Sequence, residues 1–230
     1  IFAGLVSAAR EQGGDVLQFS GDAILVHFTG DDHPVRAALA AATMQRFILD
    51  HGSITSEIGR VRLRMSVGMH AGPATFARLG TDQQVILALG EHISRALAAE
   101  KEANATQVLV TPETAVHLPA AWCRPTDSGM VRLVRVPHDR PGPGWGAREA
   151  VAPVVARAAV PEPVRDLLAA GVIPGEHRQL SLAFIGVRDL DARLARDGAD
   201  ATVERLQALT VELERVQREY ALLLVGADAL

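Results

Sequence analysis

The sequence predicts a mixed α/β fold, an α+β sandwich with an antiparallel component. Three observations predict it. Stretches with apolar residues at helical spacing recur along the chain. Short apolar or alternating runs lie between them, bounded by glycine and proline. The two kinds of segment alternate without a strict βαβ repeat, which argues against a purely parallel sheet.

The elements follow in order. Ile1 to about Gln12 has apolar residues at 1, 2, 5, 6 and 9, one face of a helix, and Gly13-Gly14 is a stop signal. Asp15–Phe19 and Ala23–Phe28 flank Ser20-Gly21-Asp22 and read as a β-hairpin with glycine at the turn. Pro34 starts an alanine-rich amphipathic helix that runs from Val35 to about Asp50. Val61–Val67 alternates like a half-buried strand until His70-Ala71-Gly72-Pro73 breaks it. Ala74–Leu79 and Val85–Leu89 read as strands, and Gly90 separates the latter from a helix over Glu91–Ala103. Gln107–Thr111 is a strand, a short helix starts at Pro112, and Met130–Val136 is a further strand.

From Pro137 to about Arg178, seven prolines interrupt the chain, which reads as a linker holding one short helix, Val164–Ala170. Leu180–Val187 then reads as a strand, Asp200–Tyr220 as a long amphipathic helix, and Tyr220–Val225 as another strand. The expected organisation is a first domain over 1–136, a proline-rich linker over 137–178 and the start of a second domain over 179–230. The helix–strand end of the second resembles the helix–glycine–strand opening of 1–28, a weak internal repeat. The uncapped helix at residue 1 and the apolar run at residue 230 give the expectation of a fragment of a longer polypeptide, its first strand missing.

Composition narrows the function classes. At 230 residues, with 48% hydrophobic and 22% charged residues, the chain reads as globular and soluble. A formal net charge of -4 gives no global attraction for nucleic acid. The single cysteine, Cys123, rules out an internal disulfide and argues against a cysteine-rich zinc site. No apolar run of about 18 residues marks a membrane span. A cytoplasmic location is the expectation, with no membrane and no nucleic-acid partner for this segment.

Asp22 is the leading candidate for chemistry. A carboxylate at a glycine turn can reach a metal ion, and magnesium favours one or two carboxylates plus substrate phosphates. Aspartate is also simply a common turn residue. His70 reads as a structural or surface histidine, and His33, His51, His92 and His117 form no ligand spacing. No Ser-His-Asp set and no phosphate-cradling glycine loop is evident.

The longer context adds a resemblance. Gly13–Phe28, with a Gly-Gly before one strand and a Gly-Asp turn before the next, resembles the class III nucleotidyl (adenylate/guanylate) cyclases. Val61–Pro73 with its His-x-Gly-Pro ending, Val85–Ala99 with its strand–Gly–helix, and Gln107–Glu113 resemble the succeeding segments of that family in order. Glu176-His177-Arg178 followed by Leu180–Val187 resembles the opening of a second cyclase domain, as in tandem-domain soluble adenylate cyclases. The resemblance implies a ferredoxin-like cyclase homology domain followed by a linker and the start of another. It implies that Asp22 is the second of two metal-binding aspartates, and catalytic in that sense, with Gly21 and the purine-reading position Gln18 as substrate-binding partners. Mg²⁺ (or Mn²⁺) would be the cofactor. The site would need a paired cyclase domain, in the same chain or in a homodimer.

Several family positions depart from the pattern. Ser94 and Ala98 stand where the resemblance calls for an Asn and a transition-state Arg, Leu87 replaces a purine-reading Asp, and Gly186 occupies the first metal-Asp position of the second domain. Arg95 lies about 100° round the helix from Ser94, so it is no stand-in for a guanidinium at position 98. Asp189 is out of phase with the metal position, and Asp228 is an imperfect match to the Gly-Asp turn. The implied activity is conversion of a purine nucleoside triphosphate, ATP ahead of GTP, into the 3′,5′-cyclic monophosphate and pyrophosphate in intracellular signalling. The alternatives are a non-catalytic cyclase-homology regulatory module of a larger signalling protein and a dimerisation scaffold.

Overall fold

The computed structural model describes residues 1–56, 59–81, 84–144 and 185–220, with isolated positions between 160 and 222. The chain divides into two units, residues 1–74 with 91–148, and residues 75–90 with 149–229.

In the first unit, helix α1 (Phe2–Glu11) leads into strands β1 (Asp15–Ser20) and β2 (Ala23–His27), which pair antiparallel as expected. Gly13 takes φ +74°, and a Cβ on Gly14 would come within 2.6 Å of the Phe28 ring. The Gly-Gly pair therefore both turns the chain and lets β2 close on α1. Helix α2 (His33–His51) has proline in its first turn and an alanine-rich face. Ala40, Met44 and Ile48 of that helix bury against Leu5, Ala8 and Ala9 of α1, with Ile24, Val26 and Phe28 beside them. Ala38, Leu39 and Ala41 bury instead against a second sheet.

That sheet contains β5 (Val67–Met69), β8 (Val108–Val110), β9 (Cys123–Pro125) and β10 (Val131–Leu133), in the order β5-β8-β10-β9. β5 and β8 run parallel, and β10 is antiparallel to both of its neighbours. Helix α3 (Glu91–Glu102) packs on β5, and the short helix α4 (Pro112–Ala115) follows β8. The expected strand over Val61–Val67 is divided. β4 (Gly59–Arg62) turns back onto β3 (Ser53–Ser56), and β5 starts only at Val67. β3 offers one apolar residue, Ile54, so no alternation marked it. β9 ends in Pro125 on the sheet edge, where a missing N–H costs no ladder bond.

Arg36 was not singled out by the sequence, yet it ties this unit together. It is 9% exposed. Its guanidinium donates to Asp32 Oδ1 at 2.7 Å, to the Gln12 carbonyl at 2.9 Å and to the Thr29 carbonyl. One side chain thereby satisfies the end of α1, the end of β2 and the start of α2. Residues 138–144, expected as the free start of a linker, are strapped to the same region. Thr43 Oγ1 donates to the His138 carbonyl, Gln12 Nε2 to the Arg140 carbonyl and the Gly144 amide to the Glu11 carbonyl. Gln12 is 2% exposed, so its amide needs an internal acceptor. The expected helix Val164–Ala170 lies outside the described residues, apart from Arg165.

The second unit pairs β6 (Thr75–Leu79) antiparallel with β7 (Val85–Leu89) and adds helices α5 (Leu190–Asp197) and α6 (Ala199–Tyr220). Ala77, Leu79, Leu87 and Leu89 pack with Leu206, and Leu190, Leu194 and Val203 flank them. The hairpin tip is held by polar contacts. Gly80 N donates to Gln207 Oε1 at 2.9 Å, while Thr81 N and Oγ1 donate to the two oxygens of Glu214 at 2.8 and 2.5 Å. Of the expected strand over Leu180–Val187, the described residues Ser181, Ala183 and Ile185–Val187 take no strand pairing, and Ile185 is 69% exposed. The expected strand after Tyr220, and Asp228 with it, lies outside the described residues except for Leu222, which is in no strand.

Replacing Arg36 by Ala strands two carbonyls that the guanidinium now satisfies. We expect Arg36→Ala to lose on the order of 3 kcal/mol of stability, with Arg36→Lys recovering only part of it, as read from urea denaturation midpoints.

Candidate functional site

The β1–β2 hairpin builds the first half of the candidate site. Ser20 pairs with Ala23, leaving a two-residue loop of Gly21 and Asp22. Gly21 has φ +61° and Asp22 does not share a positive φ. That is the pattern of a type II′ turn, which requires glycine at its first central position and matches the twist of a hairpin. The turn places the Asp22 carboxylate at the tip, exposed, with no hydrogen bond to any described residue. A free, hard oxygen ligand at a fixed turn suits Mg²⁺ or Mn²⁺ in company with substrate phosphates. Among the described residues no group of three His, Cys, Asp or Glu could hold a metal ion. Asp22 would therefore act as one protein ligand and not as part of a closed cage.

A bulge decides where Gln18 points. Val16 pairs with Val26 and Gln18 with Leu25, so Leu17 is an extra residue on β1. Val26 and Ile24 face the helices α1 and α2. The bulge puts Phe19, opposite Ile24, on that helix-facing side and turns Gln18 to the other side of the hairpin. Gln18, Gly21 and Asp22 thus share one hairpin, as the sequence predicted.

Helix α3 carries the next positions. Ser94 and Ala98 are four residues apart on one exposed face. Neither supplies a cation. Arg95, the nearest guanidinium in sequence, is committed elsewhere: its Nη2 meets Glu113 Oε1 at 2.5 Å across to α4. The Arg95 hydrogen bond holds the Glu113 carboxyl at about 2, well below the usual carboxylate range. Leu87 lies in the second unit, 6% exposed in the core with Leu206. That position is part of the apolar packing. Gly186, also in the second unit, is exposed, and a Cβ there would meet nothing. Asp189 takes φ +61° as the N-cap of α5, a left-handed conformation that Asp tolerates.

Sequence reasoning missed the polar cluster at the ends of β5 and β8. His70 Nδ1 lies 2.7 Å from Thr111 Oγ1, and His70 Nε2 lies 2.8 Å from His92 Nδ1. Burial is the foremost cause holding His70 below the ordinary histidine value, with Arg95 and His92 adding to it. The two histidines are 22 positions apart, a separation that matches no ligand motif. The one signal was Gly72, whose missing side chain leaves room for the His92 ring.

No protein-family model matches the sequence, and no curated protein does. Solved structures do. The guanylyl cyclase Cya2 superposes with a TM-score of 0.52 at 17% identity, covering 60% of this chain and 78% of its own. The guanylate cyclase domain of RhGC from Catenaria anguillulae in complex with GTP gives 0.50 at 20% identity, covering 57% and 76%. The adenylyl cyclase CyaB from P. aeruginosa gives 0.50 at 17% identity, covering 60% and 81%. The fold is that of a nucleotidyl cyclase domain. At these identities the likeness fixes the cyclase fold, and the activity has to be argued from the residues.

The Arg95–Glu113 contact gives a direct test. A carboxylate with a depressed folded pKa adds stability above its unfolded value and loses it as the pH falls through the folded value. Both side chains are solvent-exposed in good part, which keeps that contribution small. In Arg95→Ala we expect the Glu113 carboxyl to titrate back in the ordinary range near pH 4–5, measured by carboxyl-carbon NMR. An unchanged titration would mean that Arg95 does not hold it.

Proposed function

We propose that the first unit supplies the metal-side half of a two-domain nucleotidyl cyclase site in the intact protein. The observation that carries this reading is Asp22, presented bare on a type II′ turn in a cyclase fold. The substrate would be a purine nucleoside triphosphate, ATP ahead of GTP. The ribose 3′-oxygen would bond to the α-phosphorus, the bond from that phosphorus to the β-phosphate oxygen would break, and the hydroxyl proton would leave to solvent as pyrophosphate departs. Asp22 would hold the divalent cation, which when bound neutralises charge on the triphosphate. Gly21 keeps backbone bulk away from the phosphates, and the Gln18 amide can both donate to and accept from a base edge.

The transition-state half must come from elsewhere. Ser94 offers one short hydroxyl in place of an amide's separate donor and acceptor atoms, Ala98 has no polar side-chain atom, and Arg95 is engaged by Glu113. The partner domain, in the same chain or in a second copy, would bring the missing cation.

A second reading is a non-catalytic cyclase-homology module that regulates attached domains. The burial of Leu87 in an apolar core favours it, because a base-reading position is there given over to packing. The two readings part on one substitution. In the full-length protein, assayed with Mg²⁺ or Mn²⁺, Asp22→Asn should lower cyclic-nucleotide formation on the order of 100-fold or more, the scale of losing one positioned charge partner. The fold should persist, since a turn position accepts Asn. Turnover unchanged by Asp22→Asn would remove the metal role, and no turnover in either protein would support the regulatory module.

A further inference from the structure

The geometry points to a proton-reversible hydrogen-bond chain, Thr114–Thr111–His70–His92, that makes the seating of helix α3 on the β5–β8 sheet respond to pH. This inference stands on the first unit alone and does not require the proposed cyclase activity.

The chain is continuous. Thr114 Oγ1 and Thr111 Oγ1 are 3.0 Å apart, and both residues are 1% exposed. Thr111 Oγ1 meets His70 Nδ1 at 2.7 Å, and His70 Nε2 meets His92 Nδ1 at 2.8 Å. The two imidazoles lie within 8° of parallel, with centroids 5.0 Å apart. Rings that far apart with a 2.8 Å nitrogen contact sit side by side, sharing one N–H···N bond. Room for the outer ring comes from Gly72, where a Cβ would fall 2.2 Å from His92 Nδ1. The chain joins four elements: His70 follows β5, Thr111 follows β8, Thr114 is in α4, and His92 is in the first turn of α3.

Proton counting gives it two states. Only one hydrogen fits between the two imidazoles. With both rings neutral, Thr114 donates to Thr111, Thr111 donates to His70 Nδ1, and His70 Nε2–H donates to His92 Nδ1. His92 then carries its remaining hydrogen on Nε2. The Ala71 amide donates to Thr114 Oγ1 at 2.8 Å and anchors the buried end. Neither His92 nitrogen is open in this state, so an added proton requires His70 to pass its Nε2 hydrogen to His92 Nδ1 and to take the new one on Nδ1, where Thr111 turns its hydroxyl away. His92 Nδ1–H then donates to His70 Nε2, His70 Nδ1–H donates to Thr111, and Thr111 donates to Thr114. Every bond survives with its direction reversed. A second proton puts N–H against N–H, breaks the imidazole pair and sets two cations against each other.

The surroundings oppose that second proton. Arg95 of α3 faces His70 as a fixed cation, while Glu91 of α3 and Glu113 of α4 attract the proton. Glu113 is already engaged by Arg95. Burial and the cations together hold His70 below its ordinary value. The sign follows. A base whose folded pKa is depressed contributes stability above its unfolded value, near pH 6.5, and loses it as the pH falls through the folded value. Uptake of the second proton, below about pH 6.5, should therefore loosen the first turn of α3, the helix that bears Ser94 and Ala98.

The test is long-range ¹H–¹⁵N NMR of the imidazole nitrogens in the full chain from pH 8 to 5, paired with thermal melts. At pH 8 both rings should be neutral Nε2–H tautomers, and the pair should titrate in two linked steps, the second well below the first. Unlike tautomers at pH 8, one ring Nδ1–H and the other Nε2–H, or two independent single steps, would overturn the chain. In the melts, the wild-type midpoint should drop by several degrees between pH 7.5 and 5.5. His92→Gln keeps a bonding partner for neutral His70 and removes the second cation, so its midpoint should drop less. An equal drop in both proteins would overturn the link to α3, and the tautomers in the wild type decide the matter even if the variant folds poorly.

Discussion

The first unit depends on the small-residue face of helix α2. Ala38, Ala40 and Ala41, each at most 4% exposed, occupy one turn of the helix but serve different neighbours. Ala40 meets α1 and the β1–β2 hairpin, while Ala38 and Ala41 meet the β5–β8–β10 sheet. Methyl groups let both layers approach the same backbone closely. A leucine at any of these positions would force one layer away, at a typical cost of about 1–3 kcal/mol for overpacking. The two β layers, and with them the Asp22 turn and the α3 helix, keep their places through this one helix.

That arrangement separates what the candidate site retains from what it lacks. The hairpin turn is set locally, by Gly21, the Leu17 bulge and the register from Ser20 to Ala23. Its carboxylate is left bare. The α3 face offers no such ligand. Its exposed positions are Ser94 and Ala98, and its arginine is tied to α4 through Glu113. In the second unit, Leu87 is part of an apolar layer with Leu206. The hairpin turn thus presents a carboxylate free for a ligand, while the α3 arginine is engaged in structure. That division is the basis of the proposed composite site with a partner domain. No helix among the described residues is long and apolar enough to cross a membrane.

Much of this was legible in the sequence because its signals are local. The Gly13-Gly14 stop, the Gly21-Asp22 turn, the Pro34 helix start and the Gly90 break each act within a few residues, and each element formed where the pattern placed it. The bulge at Leu17, the β3–β4 hairpin and the Arg36 clamp were not legible. A bulge shows only once two strands are in register. Ser53–Ser56 has no apolar alternation to mark it. Arg36 resembles any helix-surface arginine until the carbonyls of Gln12 and Thr29 are brought to it across 24 and 7 positions. The His70–His92 pair hid for the same reason, its meaning lying in a contact and not in a spacing. At the start of the expected linker, the carbonyls of His138 and Arg140 are held by Thr43 and Gln12, contacts that composition does not reveal.

The central claim is that the turn at Asp22, and not the face at Ser94 and Ala98, is where this unit meets a metal-bound nucleotide. The most direct measurement is paramagnetic broadening of ¹H–¹⁵N amide signals in the intact chain as Mn²⁺ is titrated in with a purine nucleoside triphosphate. The account predicts that signals from Ser20 to Ala23 broaden first, that those of Ser94 to Ala98 do not lead, and that Asp22→Asn removes the effect. Broadening that begins on α3, or that persists unchanged in Asp22→Asn, would contradict it.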